Sequence, residues 1–153
     1  MEIDYHYAVK LYFNKGTSLS VLFSDGITKR YDMITMTKTH PYFIKLEDRK
    51  IFISGQLDWF GIVWNDEIDI DADEIYYEGV LEPNREDATE ALLGFQIKYA
   101  RLKKELTQEQ FSKIVHIDQA DLSKIENAKL SPTLSTIKRI AKALDTTFTL
   151  TVN

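Results

Sequence analysis

The chain has 153 residues and a mass of 17.8 kDa, with 44% hydrophobic residues, 12% aromatic residues and a formal net charge of −5. This length and composition suit one large domain or two small ones with a hydrophobic core, so wholesale disorder is excluded. The absence of cysteine excludes disulfides, thiolate nucleophiles and cysteine-ligated metal sites. No apolar run is long enough to span a membrane, and Met1 leads into a charged segment, so we expect a cytoplasmic protein.

Charge is distributed unevenly along the chain. Residues 1–87 carry 9 Lys and Arg against 17 Asp and Glu, a net charge of −8. Residues 88–153 carry 10 against 7, a net charge of +3. A basic half suits a polyanion, whereas an acidic half suits water or another protein, so we expect the two halves to have different partners.

An alternation of apolar and polar residues with a period of two runs through the first third of the chain, which is typical of β-strands. It predicts a three-stranded meander with strands at residues 5–14, 17–23 and 27–32. Gly16 and Gly26 end the two short polar connections, where glycine readily takes the positive φ of a tight turn. Beyond the meander, Pro41 is predicted to open a helical turn, and two further short strands are predicted at residues 50–54 and 61–64.

The N-terminal half is rich in carboxylates but contains no motif for metal binding or catalysis. Residues 65–74 include six acids, with aspartates at alternate positions from Asp69, as at the start of an EF-hand calcium loop. Such a loop requires glycine at its sixth position and glutamate at its twelfth, where this chain has Glu74 and Val80. The three histidines lack a second ligand at helical spacing, and there is no glycine-framed serine or phosphate-binding loop. We therefore predict a solvated acidic edge, no metal, no cofactor and no enzymatic activity.

Residues 78–87 have the composition of a linker, with Gly79, Pro83 and mixed charges. A closing helical turn is predicted just before them, at residues 75–77. The chain is therefore predicted to consist of an acidic β-rich α+β domain at residues 1–82, a linker at 83–90 and a second domain at 91–153.

The periodicity becomes helical after the linker. Helices are predicted at residues 88–104, from Thr107 to 115, at 119–127, and from an opening at 131–133 through Leu144. Thr107 and Gln110 form a capping box at the start of the second helix, and Asp118 caps the third. Threonines alternate with apolar residues over 147–152, which predicts a final strand with one apolar face.

The second and third of these helices are short and are joined by a turn of three or four residues, as in a helix-turn-helix. The segment RLKKELTQEQFSKIVHIDQADLSKIENAKLSPTLSTIKRIAKALD resembles the Cro/C1-type DNA-binding domain of the XRE, lambda-repressor-like family. The resemblance extends from Gly94 to about Leu144, a third of the chain. It implies an all-α lambda-repressor-like helix-turn-helix domain. Together with the strands predicted from the alternating patterns, the expected fold class is an α+β N-terminal module, rich in β-meander, followed by this helix-turn-helix domain with a C-terminal β-strand.

The resemblance also implies which residues contact DNA. Seven residues match the contacting positions of the family: Gln108, Gln119, Ala120, Ser123, Lys124, Asn127 and Lys129. Gln108 matches a phosphate contact at the start of the second helix, and the last two match backbone contacts just beyond the recognition helix. The other four read base edges, the amide of Gln119 suiting adenine and the ammonium of Lys124 suiting guanine. Arg101 and Glu126 match a structural ion pair between the first and third helices.

Four positions depart from the family pattern. Ser112 stands where the family favours a small residue, often alanine. His116 and Ala128 stand where glycine is usual, so a non-glycine residue must take each turn, which histidine tolerates better than most. Asp121 adds a negative charge to the recognition helix, so we expect modest, dimer-dependent affinity for DNA.

The N-terminal half carries a weaker resemblance, in the segments SLSVLFSDGITKRYDM, DWFGIVW and DIDADEIYYE. They are similar to a small, uncharacterised bacterial domain that is found alone or in front of Cro/C1-type domains. Several members of that group lie near toxin–antitoxin-like gene pairs. The resemblance implies a compact β-rich module and supplies no chemistry.

Together these features predict a sequence-specific transcriptional regulator that binds double-stranded DNA as a homodimer. Its two recognition helices would enter the major groove about 34 Å apart. The alternative is an antitoxin-like protein whose acidic N-terminal domain binds a partner protein while the helix-turn-helix autoregulates the operon. A third hypothesis, that the N-terminal module senses a small ligand, stays open because the sequence indicates no pocket.

Overall fold

The computed structural model describes residues 5–149 and divides the chain into two compact units, between Arg85 and Glu86. Within residues 5–149, no helix combines the length and apolar character needed to cross a membrane. The N-terminal unit is α+β and the C-terminal unit is helical, which confirms the predicted fold class.

A four-stranded antiparallel sheet forms the first part of the N-terminal unit, in the order β1-β2-β3-β7. Its strands are β1 (Ala8–Phe13), β2 (Ser18–Phe23), β3 (Thr28–Asp32) and β7 (Val80–Glu82). Gly16 and Gly26 take φ angles of 67° and 87° in the two tight turns. The three consecutive paired strands confirm the predicted meander. Each glycine takes a left-handed conformation that costs little only for a residue without a Cβ.

A second antiparallel sheet, in the order β4-β5-β6, follows a helical stretch. It contains β4 (Gln56–Asp58), β5 (Gly61–Asn65) and β6 (Ile68–Asp71), and the helical stretch contains α1 (Ile34–Thr39), a 3-10 helix (Pro41–Glu47) and α2 (Arg49–Phe52). The strand predicted at 61–64 and the helical turn opened by Pro41 are confirmed. In β6, Ile68 and Ile70 are buried whereas Asp69 and Asp71 are exposed, so an alternating strand lies within the acidic segment.

The strand predicted at residues 50–54 is wrong, because this segment forms α2 and the turn after it. The carboxylate of Asp48 accepts a hydrogen bond from the amide of Lys50 at 2.9 Å and thereby caps the helix. The three consecutive apolar residues 51–53 carry no period that distinguishes a strand from a helix.

The linker-like composition of residues 78–87 did not indicate a strand, yet Val80–Glu82 forms β7 and pairs with β3. Gly79 follows α3 (Ala72–Glu78), the predicted helical turn. A Cβ at Gly79 would lie 2.4 Å from the carbonyl oxygen of Ile75 and 3.0 Å from that of Arg30. Glycine is therefore required here by the close approach of two backbones, not by flexibility.

One hydrophobic cluster forms the core of the N-terminal unit. It draws on both sheets and on the short helices between and after them: Ala8, Leu19, Val21, Phe23, Met33, Leu46, Phe52, Ile62, Ile68, Ile70, Ala72 and Ile75. Because the core requires both sheets, neither sheet buries its apolar face alone.

Within its described residues, 86–149, the C-terminal unit contains four helices whose limits agree with the prediction within a few residues. They are α4 (Ala88–Lys103), α5 (Gln108–Val115), α6 (Gln119–Glu126) and α7 (Leu134–Leu144). The unit has a hydrophobic core of its own, formed by Leu93, Ile97, Phe111, Val115, Leu122, Ile125, Ile140 and Leu144. Helix α4 begins inside the predicted linker 83–90. In the predicted final strand, 147–149 have no strand pairing, and 150–152 lie outside the described residues.

Every helix of the C-terminal unit is followed by a left-handed residue that is not glycine. These residues are Glu105, His116, Ala128 and Asp145, with φ angles of 57°, 55°, 58° and 55°. A Cβ makes this conformation unfavourable for an L-amino acid. His116 and Ala128 therefore take the left-handed turns after α5 and α6, as expected at the two positions where the family favours glycine.

Candidate nucleic-acid interface

The start of α5 is fixed by the capping box that the sequence predicted. The Thr107 hydroxyl accepts from the amide of Gln110 at 3.1 Å, and the Gln110 side-chain oxygen accepts from the amide of Thr107 at 2.9 Å. The amides at the beginning of a helix carry a partial positive charge and point out of the helix end. This end of α5 is therefore suited to an anion such as a phosphate.

The turn between α5 and α6 consists of His116, Ile117 and Asp118. His116 takes the left-handed conformation, and the amide of Ile117 donates to the carbonyl of Ser112 at 3.0 Å. The Asp118 carboxylate then accepts from the amide of Ala120 at 2.8 Å and starts α6. Because this turn is closed by backbone hydrogen bonds and a side-chain cap, the angle between the two helices is well defined.

The buried face of α6 determines which residues it presents to solvent. Leu122, Ile125 and Glu126 are buried, whereas Gln119, Ala120 and Lys124 are exposed and Ser123 is half-buried. The four predicted reading residues are thus brought together on one short, capped helix. The ammonium of Lys124 lies 3.9 Å from the carboxylate of Asp121, and both side chains are at least half exposed, so the pair constrains the lysine only weakly.

The two residues predicted just beyond α6 differ in how tightly they are held. The side-chain nitrogen of Asn127 donates to the carbonyl of Ser123 at 2.8 Å and lies 3.4 Å from its hydroxyl. Its amide group therefore satisfies a carbonyl at the end of α6, a structural use that the sequence did not indicate. Lys129 has an exposed side chain, and its backbone amide donates to the carbonyl of Lys124 at 2.7 Å.

A buried ion pair joins α4 to the end of α6, in agreement with the family resemblance. The guanidinium of Arg101 donates to both carboxylate oxygens of Glu126, at 2.7 and 2.8 Å. The two side chains are only 6% and 0% exposed. Arg101 also donates to the carbonyl of Leu106 at 2.7 Å, so it fixes the loop that precedes α5.

The predicted phosphate contact of Gln108 suggests a side chain that extends into solvent. In the structure this side chain also has a partner within the protein. Its side-chain nitrogen donates to Glu126 Oε1 at 3.1 Å, which connects the first residue of α5 to the buried ion pair. Gln108 and Gln119 also line the same open groove, together with Arg101 and Thr107. The Gln108–Glu126 contact was missed by sequence reasoning, because the two residues lie 18 positions apart and no local pattern connects them.

Gly94 is a further residue whose importance the sequence analysis missed. It lies in α4, and a Cβ there would be 2.6 Å from the carbonyl oxygen of Glu126 and 2.7 Å from that of Ile125. The glycine allows α4 to contact the backbone at the end of α6. A glycine within an otherwise good helical sequence was the available signal.

Comparisons with known proteins agree with this geometry. Residues 97–150 match the family model described as helix-turn-helix. No curated protein matches the chain. The matched segment contains α5, α6 and α7, so the C-terminal unit is a helix-turn-helix domain, and this supports a DNA-binding regulator.

Several solved structures are also similar to the chain. The restriction–modification controller protein C.Esp1396I is 26% identical over 42% of this chain and 80% of its own, with a TM-score of 0.37. Its tetramer in complex with its natural 35 base-pair operator is 26% identical over 42% of this chain and 82% of that chain, with a TM-score of 0.36. NE0471 from Nitrosomonas europaea ATCC 19718, described as a candidate DNA-binding protein, is 13% identical over 88% of this chain and 81% of its own, with a TM-score of 0.36.

Proposed function

We propose that this protein is a sequence-specific transcriptional regulator of the Cro/C1 type that places α6 in the major groove of DNA. One observation carries the proposal: the exposed face of α6 presents Gln119, Ala120 and Lys124, and the capped start of α5 lines the same open groove as Gln119. An α-helix fits the major groove, where amide and ammonium groups distinguish base edges. Amides at the start of the preceding helix suit a phosphate of the same duplex.

In this proposal the seven predicted contacts have separate roles. Gln119, Ala120, Ser123 and Lys124 read bases, and Gln108, Asn127 and Lys129 hold the sugar–phosphate backbone. One domain with a net charge of +3 over residues 88–153 neutralises few phosphates. We therefore propose that the regulator binds as a homodimer, which doubles the number of phosphate contacts and places two recognition helices on one face of the duplex. Binding to genomic DNA implies that it works in the cytoplasm.

The proposal is tested by the binding of the full chain to the DNA upstream of its own gene at two salt concentrations. Gln119→Ala and Lys124→Ala are expected to weaken or relax sequence-specific binding, each by about 1–3 kcal/mol if it contacts a base. Lys142→Ala is the matched control, because it removes the same charge from an exposed position in the last turn of α7. Equal losses in Lys124→Ala and Lys142→Ala would mean that α6 is not the reading helix. No binding at low salt would refute the proposal.

A second candidate function rests on the net charge of −8 over residues 1–87. An acidic β-rich unit suits a basic protein, so the chain would act as an antitoxin-like protein that uses its helix-turn-helix for autoregulation. A basic protein encoded beside the gene is then expected to co-purify with the full chain in a salt-sensitive manner. Replacement of the exposed Glu67 and Asp69 by Gln and Asn tests the acidic edge directly. Failure of the neighbouring gene products to bind would remove this function and leave the regulator unaffected.

A further inference from the structure

The carboxylate of Glu126 is shared by two residues from different parts of the C-terminal unit. Oε2 accepts from Nε of Arg101 at 2.7 Å, and Oε1 accepts from Nη2 of Arg101 at 2.8 Å and from Nε2 of Gln108 at 3.1 Å. The Glu126 side chain is fully buried, so its position is fixed by α6 and by the guanidinium. A bidentate pair of this kind holds both groups in one plane.

This arrangement determines how the Gln108 amide is oriented. An ionised carboxylate only accepts hydrogen bonds, so the nitrogen of the amide, and not its oxygen, must face Glu126. An amide nitrogen carries two hydrogens, and a second hydrogen remains to donate to another acceptor. A glutamine without such a partner would distribute over several rotamers, which costs free energy when one of them must bind.

We infer that Glu126 is a positioning residue for DNA binding: through Gln108, it orients an amide donor at the start of α5 towards a backbone phosphate. Arg101 holds the Glu126 carboxylate in place through two hydrogen bonds. The inference rests on the proposed function and names the regulator's own buried ion pair as part of its contact with the DNA backbone. Removal of a negative charge near DNA would by itself strengthen binding. If Glu126 orients Gln108, its removal weakens binding instead.

A double-mutant cycle in the full chain tests this inference. The affinities of the wild type, Gln108→Ala, Glu126→Gln and the double variant are measured on one upstream DNA duplex. Loss of one hydrogen bond to a charged phosphate is expected to weaken binding about tenfold per protomer. If Glu126 acts through Gln108, the double variant binds no more weakly than Gln108→Ala. A purely structural ion pair would instead give losses that multiply, about a hundredfold per protomer in the double variant.

Asp145→Asn is the matched control for charge, because Asp145 is exposed at the end of α7, is not among the proposed DNA contacts, and has a left-handed backbone that asparagine tolerates. It removes one negative charge, as Glu126→Gln does, and is expected to leave DNA binding unchanged or to tighten it. Glu126→Gln is expected to weaken binding. If both variants tighten binding, Glu126 acts only as a charge and the inference is wrong.

Two further measurements keep the test decisive if Glu126→Gln does not fold. Arg101→Lys retains a cation but not the bidentate geometry, and its effect on DNA binding is expected to disappear in the Gln108→Ala background. In an NMR spectrum of the full chain, the resonance of the Gln108 side-chain amide proton that is donated to Glu126 is expected to shift in Arg101→Lys. An effect of Arg101→Lys that persists without Gln108 would overturn the inference. If the wild type binds no DNA, the proposed function falls with it; if the wild type binds and Gln119→Ala alters binding, multiplicative losses overturn only this inference.

Discussion

Replacement of Gly94 by alanine separates helix propensity from helix packing, because the two predict opposite signs. Propensity alone predicts that alanine stabilises a helix interior by about 1 kcal/mol relative to glycine. In this structure the new Cβ would lie 2.6 and 2.7 Å from two carbonyl oxygens at the end of α6. Ordinary contact requires roughly 3.5 Å, so the helices must separate by several tenths of an ångström. Such overpacking costs about 1–3 kcal/mol.

The displaced backbone belongs to Glu126, whose carboxylate is held at 2.7 and 2.8 Å by Arg101. Movement of α6 therefore also strains a buried ion pair, which places the cost near the upper end of that range. We expect Gly94→Ala to lower the free energy of unfolding of the C-terminal unit by about 1–2 kcal/mol after the gain in propensity is subtracted. For a unit of this size, the midpoint of thermal unfolding would fall by roughly 4–16 °C.

The helical signal in circular dichroism follows mainly the C-terminal unit, which contains the longer helices, and tryptophan fluorescence follows the N-terminal unit, because both tryptophans, Trp59 and Trp64, lie there. Gly94→Ala is expected to shift the first transition and not the second. Ser135→Ala, at an exposed position in α7, is the control and should change stability by less than about 0.5 kcal/mol. A higher unfolding midpoint for Gly94→Ala would refute the packing explanation.

Three more substitutions are expected to change the free energy of unfolding or a pKa in a defined direction. Ala128→Gly removes a Cβ from a left-handed residue with a φ of 58° and should stabilise the C-terminal unit by about 0.5–1 kcal/mol in urea unfolding; a loss of stability would contradict this. Arg101→Met leaves the buried carboxylate of Glu126 without its cation and should cost about 3–5 kcal/mol, whereas Lys113→Ala, in an exposed pair with Glu109, should cost less than about 1 kcal/mol. The Asp25 carboxylate accepts from the Tyr76 hydroxyl at 2.6 Å, and this hydrogen bond raises the pKa of Tyr76 from 10.0 to about 12. Because the folded pKa is the higher one, this contribution to stability is complete below pH 10 and is lost as the pH rises through 12; titration of tyrosinate absorbance should show a lower pKa in Asp25→Asn, and an unchanged titration would exclude the hydrogen bond as its cause.

Features set by neighbouring residues were predictable from the sequence. The capping box at Thr107, the cap at Asp118, and the turns at Gly16 and Gly26 each depend on a few adjacent side chains, and all were located correctly. The helical limits followed from them, because a cap fixes where a helix begins.

Features set by distant partners were not predictable in the same way. Strand β7 looks like a linker until β3, about 50 residues earlier, supplies its hydrogen bonds. The requirement for glycine at position 94 comes from backbone carbonyls of α6, and at position 79 it comes in part from the carbonyl of Arg30 in β3. In the candidate site, the exposed face of α6 follows from helical periodicity, whereas the contact of Gln108 with Glu126 depends on how α5 and α6 pack.

The left-handed residues at the four helix ends have a consequence for the lifetime of the protein in a cell. Each costs about 1 kcal/mol relative to a relaxed residue, and the four together are a large part of the 5–15 kcal/mol that typically separates folded from unfolded domains. A ligand at about a hundred times its Kd adds roughly 2.7 kcal/mol to the stability of the domain that it binds. If the ligand is an operator, copies on DNA would resist proteases better than surplus copies. Protein abundance would then follow the number of occupied sites without any additional control.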